Sequence, residues 1–143
     1  MPLFTVGHGP EDRGRLSTRL SGVGYRWEER LGGRRKLPPG EPVVDDWWTV
    51  AQFAAYAAHT RTPEFGAALD DVLTDAAEST VAVMCSESVW WRCHRRLVAD
   101  VAVLGRGRAV AHLMPDGRLT PHRPSAGAVP GPDGSVYWPA VPG

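Results

Sequence analysis

Apolar positions recur along this chain with a period of two in some stretches and of three to four in others. The switches between the two periods predict its elements. Leu3-Phe4-Thr5-Val6 is a short apolar run that stops at Gly7-His8-Gly9-Pro10, a strand that presents a polar side chain at its end. The flanking glycines allow positive φ or the close approach of a ligand. Leu16 and Leu20 predict a helix that starts at Glu11 or Asp12 and stops at Gly22. Val23-Gly-Tyr25-Arg-Trp27 alternates as a short strand. Val50, Phe53, Ala54 and Ala57 fall on one helical face and predict a helix over 49–59, entered from Asp45 or Asp46, with His59 as a cation at its C-terminal end.

Thr62-Pro63 predicts the N-cap and first residue of the next helix. Its apolar stripe is Phe65, Leu69, Val72, Leu73 and Ala76, and Asp70, Asp71, Asp75 and Glu78 belong to the solvated faces. The run Val81-Ala-Val-Met-Cys85 has no polar alternation, which predicts a strand buried on both faces inside a parallel sheet. A helix then runs from Val89 or Trp91 to Leu104, with Cys93, Leu97, Val101 and Leu104 inward and Gly105 and Gly107 ending it. A strand over 108–114, a Pro115-Asp116-Gly117 turn and a return over 118–122 make a hairpin. The predicted fold class is α/β: a three-layer, mostly parallel sheet flanked by helices, with a C-terminal hairpin. Residues 1–123 form the domain. Residues 124–143, rich in Pro and Gly, form an extended and partly mobile extension unless Val136-Tyr137-Trp138 docks.

Composition narrows the function classes. A length of 143 residues suits one core. Sixteen basic and sixteen acidic residues cancel, which argues against a strong bulk pull on nucleic acid or an anionic membrane surface. No stretch approaches the roughly 20 apolar residues that span a bilayer, and the first residues lack a signal-peptide pattern. Two cysteines make no disulfide framework, so a reducing, cytoplasmic setting is expected. The basic residues are fifteen Arg and one Lys, Lys36; Arg grips planar anions with two donors at once.

The candidate chemistry gathers where the buried strand turns into a helix: Cys85, Glu87, Trp90, Trp91, Arg92, Cys93, His94, Arg95 and Arg96. Sites in such sheets form beyond the carboxyl ends of strands, where both His8 and Cys85 would sit. Neighbouring strands would bring them to one crevice. Two readings of Cys85 stay open: a thiolate nucleophile favoured by Arg92 or Arg95, with His8 or His94 as base, or a small packed residue without reactivity. Glu87 is a helix-start carboxylate or a general acid/base. Arg95 is the prime anion-binding residue, and Arg96 is expected to face solvent. Gly32-Gly33-Arg34-Arg35-Lys36 is either an anion-binding loop or a solvated basic loop. Trp90 and Trp91 either stack a planar ligand or pack at the sheet edge. Cys85 and Cys93 are eight apart, outside zinc-pair spacing, so no metal is expected, and no cofactor motif occurs. A disulfide between them requires the turn to bring the sulfurs together.

At Thr5-Val6-Gly7-His8 and at Met84-Cys85-Ser86-Glu87 with Arg92-Cys93-His94-Arg95-Arg96-Leu97, the chain resembles a family known as domain of unknown function 488. The likeness takes in Leu31-Gly-Gly-Arg-Arg35, Phe53-Ala-Ala-Tyr56, Pro63-Glu64-Phe65 and Val110-Ala-His112-Leu, and spans residues 3–123. It implies an α/β sheet protein with an unassigned activity. Members of that family usually carry a further strand containing Asp-Val-Arg between the Gly-His turn and the Leu-Gly-Gly-Arg-Arg loop; no Asp-Val-Arg occurs here, so either a strand has been lost or a segment near Pro10–Leu16 is missing. That difference predicts a chain break or an unusual gap over residues 10–16.

Two function classes follow. One is an enzyme acting on a phosphorylated, nucleotide or nucleic-acid substrate. Cys85 or Glu87 would do the chemistry, His8 or His94 would assist, and Gly32, Gly33, Arg34, Arg35 and Arg95 would hold the anion. The other is a non-catalytic module that binds nucleic acid or a partner through the Arg-rich loop and the Trp residues. The expected partner is a small anionic ligand or nucleic acid, and no membrane.

Overall fold

The computed structural model describes residues 2–7, 26–33, 35–37, 40, 44–85, 87 and 89–140. The helix expected after Glu11, the residues 23–25 of the expected second strand and the gap expected over 10–16 lie outside the described residues. So do His8 and Arg34.

Four strands form one sheet: β1 (Leu3–Gly7), β2 (Ala82–Cys85), β3 (Val110–Leu113) and β4 (Leu119–Pro121), in the order β2-β1-β3-β4. β1 lies between β2 and β3 and is parallel to both, and β4 returns antiparallel to β3. With helices joining the parallel strands, this is the α/β fold that the alternation predicts. The register puts Gly7 opposite Cys85, so the ends of β1 and β2 do converge. It also puts Thr5 between Val83 on one side and His112 on the other. The hairpin turn forms as expected, with Gly117 at φ 87°.

The run leading to Cys85 is not buried on both faces. Ala82 is exposed and Val83, Met84 and Cys85 are half-buried. Among the described residues, only β1 pairs with this strand, so its outer side has less cover than an interior strand receives.

Among the described residues, three helices pack with the sheet: α1 (Ala51–His59), α2 (Pro63–Glu78) and α3 (Arg95–Asp100), which continues into a π turn over Val101–Gly105. α2 begins where its sequence says. The Thr62 hydroxyl accepts the Phe65 N–H at 3.3 Å, Pro63 occupies the first turn, and the whole predicted stripe is buried. Losing such a cap costs about 1 kcal/mol.

α3 begins later than the periodicity predicts. Val89 is extended, Trp90–Arg92 form a single 3-10 turn, and Cys93 is extended again at φ −131° and ψ 155°. That break turns the Cys93 sulfur back to accept the Arg95 N–H at 3.4 Å. A local sulfur acceptor takes the first helical donor, so the helix starts at Arg95. His59 also departs from expectation. It donates from Nε2 to the Arg30 carbonyl at 2.6 Å, and burial lowers its pKa, so it acts as a neutral tie and not a capping cation. Arg26 and Trp27, the described end of the expected second strand, lie in irregular, exposed chain.

Residues 124–140 dock. β5 (Val129–Pro130) and β6 (Val136–Tyr137) pair across a turn at Asp133 and Gly134, and Val136 and Trp138 are fully buried in the core with Leu97, Val101 and Phe65. Asp45, itself buried, accepts the Trp138 N–H and pairs with Arg61, which also donates to the Val136 carbonyl. Arg96 does not face open solvent. Its Nε donates to Ser125 at 2.9 Å and its guanidinium lies over the Trp47 and Trp48 rings. Among the described residues, no helix is long and apolar enough to cross a membrane.

Candidate functional site

Cys85 ends β2, and Gly7 ends β1 beside it. The chain then turns so that the Glu87 carbonyl crosses over Gly7. A Cβ on Gly7 would collide with that carbonyl and crowd the Arg95 guanidinium, so glycine is required there for close approach. The Glu87 carbonyl accepts from Arg95 Nη2 at 2.8 Å and, while Cys85 is protonated, from its thiol at 3.8 Å. Arg95, from the first turn of α3, is 2% exposed. Its Nη1 reaches the Thr5 hydroxyl at 3.5 Å, and its Nε has no partner among the described residues. A buried guanidinium without full compensation is costly, several kcal/mol by order of magnitude, which makes it a strong stabiliser of any negative charge beside it.

The negative charge available is a thiolate. Cys85 and Cys93 are free thiols whose side chains hydrogen-bond each other. The S–H of Cys93 pulls the Cys85 thiol down to about 6; burial opposes this, and Arg95 adds to it. Cys93 is pushed up, first by that same bond and then by burial. The more open sulfur therefore carries the charge and the buried one keeps the proton. This is the setting that favours a reactive cysteine.

His94 lies on the other side of Cys93, with Nδ1 3.5 Å from the sulfur. Burial first, then the charges of Arg95 and Arg35, hold its pKa down to about 4, so the ring is neutral near pH 7. It packs against Tyr56 and against Gly33, where a Cβ would strike the ring. The Gly32-Gly33 loop is thus brought to the thiols through His94. Its position is held by the Tyr56 hydroxyl, which donates to the Leu31 carbonyl at 2.8 Å. Arg35 donates to the Gly32 and Glu29 carbonyls, so its guanidinium braces the loop. An adjacent groove of about 250 Å³ is lined by Glu29, Arg30, Arg35, His59 and Glu64. Its two carboxylates weigh against an anion there.

Of the residues singled out from sequence, Cys85, Arg95, His94, Gly32, Gly33 and Arg35 come together along one edge. Glu87 supplies its carbonyl to the centre. Its side chain is exposed, and because α3 starts at Arg95, the carboxylate is not at a helix start. Trp90 packs rather than standing ready for a ligand: its ring stacks on His112 at 4.3 Å and 4°. Trp91 is exposed.

Sequence reasoning missed a second polar cluster behind the first. Trp138 Nε1 and the Ser125 N–H, both obligate donors, point at Asp100 at 2.9 and 3.0 Å. With both of its oxygens acting as acceptors, His122 Nε2 donates to Asp100 at 2.7 Å. His122 Nδ1 then accepts from His112 Nε2 at 2.7 Å, and His112 Nδ1 accepts from the Thr5 hydroxyl at 2.5 Å. Every hydrogen bond in this buried chain runs toward Asp100, and Arg95 stands at its far end. Burial, then His122 and Arg95, hold His112 down to about 3. One sequence signal pointed to it: His112 shares a strand face with Val110, and a polar residue at a buried strand position needs a partner.

No curated protein and no solved structure matched the chain in the comparisons made. A family model, described as Domain of unknown function DUF488, matches residues 11–102. That stretch holds the Gly32-Gly33 loop, α1, α2, β2, both thiols and Arg95, and leaves β1, β3 and β4 outside. Since the match covers more than half of the chain, the protein belongs to the DUF488 family.

Proposed function

We propose that this protein is an enzyme acting on a phosphorylated, nucleotide or nucleic-acid substrate, with Cys85 as its nucleophile. The observation that carries this reading is the placement of the half-open Cys85 sulfur within 3.8 Å of the Glu87 carbonyl that the buried Arg95 guanidinium holds, at the joined ends of β1 and β2. A thiolate there attacks an electrophilic centre of the substrate; the bond to the leaving group breaks as the bond to sulfur forms, the negative charge passes to the departing group, and Arg95 offsets that charge as it develops. His94, neutral near pH 7, is available as a proton acceptor, and His8, directly after β1, is a second candidate. Arg34 on the glycine loop is the candidate for holding the substrate anion, with Arg35 bracing that loop through the Gly32 and Glu29 carbonyls. The exposed Glu87 carboxylate is a candidate acid/base at the mouth of the site.

A second reading, a non-catalytic module that binds nucleic acid or a protein partner, is favoured by the exposure of Trp27 and Trp91. One experiment separates the two. Cys85 and Cys93 are alkylated with iodoacetate and with iodoacetamide across pH, with and without inorganic phosphate or nucleoside phosphates. The enzyme reading expects Cys85 to react with a midpoint near pH 6. It also expects iodoacetate to be favoured and the anions to protect. A Cys85 that titrates like a free thiol and is indifferent to anions would remove the enzyme reading in favour of the module.

A further inference from the structure

Two sulfurs meet beyond the ends of β1 and β2, and a nucleophilic enzyme needs only one of them. We propose that Cys85 and Cys93 work together as a dithiol that exchanges with small-molecule disulfides, Cys85 attacking and Cys93 resolving. The geometry divides the two roles. Cys85 is half-buried and open to a reagent, whereas Cys93 is buried behind it, with its S–H directed at the Cys85 sulfur. The Arg95 N–H already points at the Cys93 sulfur and would stabilise a thiolate there as it forms. Between the cysteines, the described residues 89–92 are an extended Val89 and a single 3-10 turn, so among them closing a disulfide unwinds no regular helix. No disulfide joins the two cysteines, and their side chains hydrogen-bond each other, the arrangement from which such a pair starts.

The steps balance. The Cys85 thiolate attacks one sulfur of R–S–S–R; a Cys85–S–S–R bond forms, the R–S bond to its partner sulfur breaks, and one R–S⁻ leaves. With the charge on Cys85 spent, the Cys93 S–H turns to the neutral Nδ1 of His94, 3.5 Å away. The Cys93 sulfur then attacks Cys85, the Cys85–Cys93 bond forms, and the second R–S leaves with the proton that His94 held, as R–SH. The protein is oxidised by two electrons and the small disulfide is reduced by two. No anion site is needed, so this inference stands or falls apart from the phosphate reading.

The test uses the full chain in oxidised and reduced dithiothreitol buffers, quenched with acid and weighed by mass spectrometry. The expected result is one product lighter by two hydrogens, interconverting with the dithiol as the buffer ratio changes. Glutathione disulfide then assigns the roles. Cys93→Ser is expected to trap one adduct, on Cys85, and Cys85→Ser is expected to react at least about tenfold more slowly at Cys93, which lies behind it. His94→Gln is expected to lengthen the life of the mixed disulfide. Two independent adducts on the wild-type chain without loss of hydrogens would overturn the proposal. So would an adduct on Cys93 in Cys85→Ser as fast as that on Cys85. The wild-type result decides even if a serine variant fails to fold.

Discussion

Two polar clusters share the sheet and meet at Thr5 and Arg95, and they differ in how completely their hydrogen bonds are satisfied. In the cluster behind, each donor has an acceptor, from Thr5 through His112 and His122 to Asp100, and Trp138 and Ser125 close the far end. Trp90 covers it by stacking on His112. In the cluster in front, Arg95 Nε has no partner among the described residues, two sulfurs share one proton and Cys85 is only half-buried. A closed network holds a shape, because any change in it strands a buried group. An open one gains by receiving a charge or forming a bond. The same residue types, imidazoles and charges beside a strand, thus do structural work in one place and offer chemistry a few ångströms away. What separates them is the hydrogen-bond balance, not the kind of side chain.

The largest effect should come from breaking the closed side. Asp100→Ala leaves the donors of His122, Ser125 and Trp138 unpaired, at about 1–3 kcal/mol each. A loss on the order of 3 kcal/mol or more is expected, read from the urea midpoint. In the fraction that stays folded, the alkylation midpoint of Cys85 should remain near 6. If it moves substantially, the two clusters are one device and the contrast between them fails.

A smaller effect comes from acid. His94 belongs to the open side and His112 to the closed side, and both have folded pKa values lowered, to about 4 and about 3, from the ordinary 6.5. Below pH 6.5 the unfolded chain takes up these protons first, while the folded chain resists until near pH 4 and pH 3. Their contribution is therefore full above pH 6.5 and is lost as pH falls through that window. Urea midpoints measured from pH 7 to pH 4 should decline, and His94→Gln should make the decline shallower. If that variant declines as steeply as the wild type, His94 is not held neutral by its site.

The front cluster was partly legible in the sequence and the rear one was not, for a physical reason. Cys85, Glu87, Cys93 and Arg95 fall within eleven residues, at a strand end where this fold class puts its sites, so local chemistry and fold class pointed to the same place. Thr62-Pro63 and Pro115-Asp116-Gly117 were legible likewise, because caps and turns are local. The rear cluster joins Thr5, Asp100, His112, His122 and Trp138 from five separate segments, and each alone passes for an ordinary residue. Asp100 occupies a buried position of α3 that helical periodicity alone would fill with an apolar side chain. Trp138 stands in a Pro- and Gly-rich stretch whose composition reads as loose chain, although it supplies a core indole. The late start of α3 escaped for a related reason. Periodicity reports which face is buried and says nothing of a sulfur that competes for the first helical N–H.

The finest test of the contrast is Cys93→Ala. It removes the largest cause of the low Cys85 pKa and leaves Arg95 and the Glu87 carbonyl in place. A hydrogen bond to a charged group contributes about 1.5–3 kcal/mol, so the Cys85 midpoint should climb from about 6 to about 7–8. Because the folded pKa of Cys85 lies below its unfolded value, the wild-type chain should gain stability as pH rises from about 6 toward that value. In Cys93→Ala this gain should be compressed into a narrower and higher window. Iodoacetamide rates against pH give the midpoint, and urea midpoints at pH 6 and pH 8 give the stability. A midpoint that stays near 6 without Cys93 would mean that Arg95 alone sets the thiolate. The second sulfur would then lose its place in the electrostatics of the site, and the open cluster would reduce to one cysteine and one arginine.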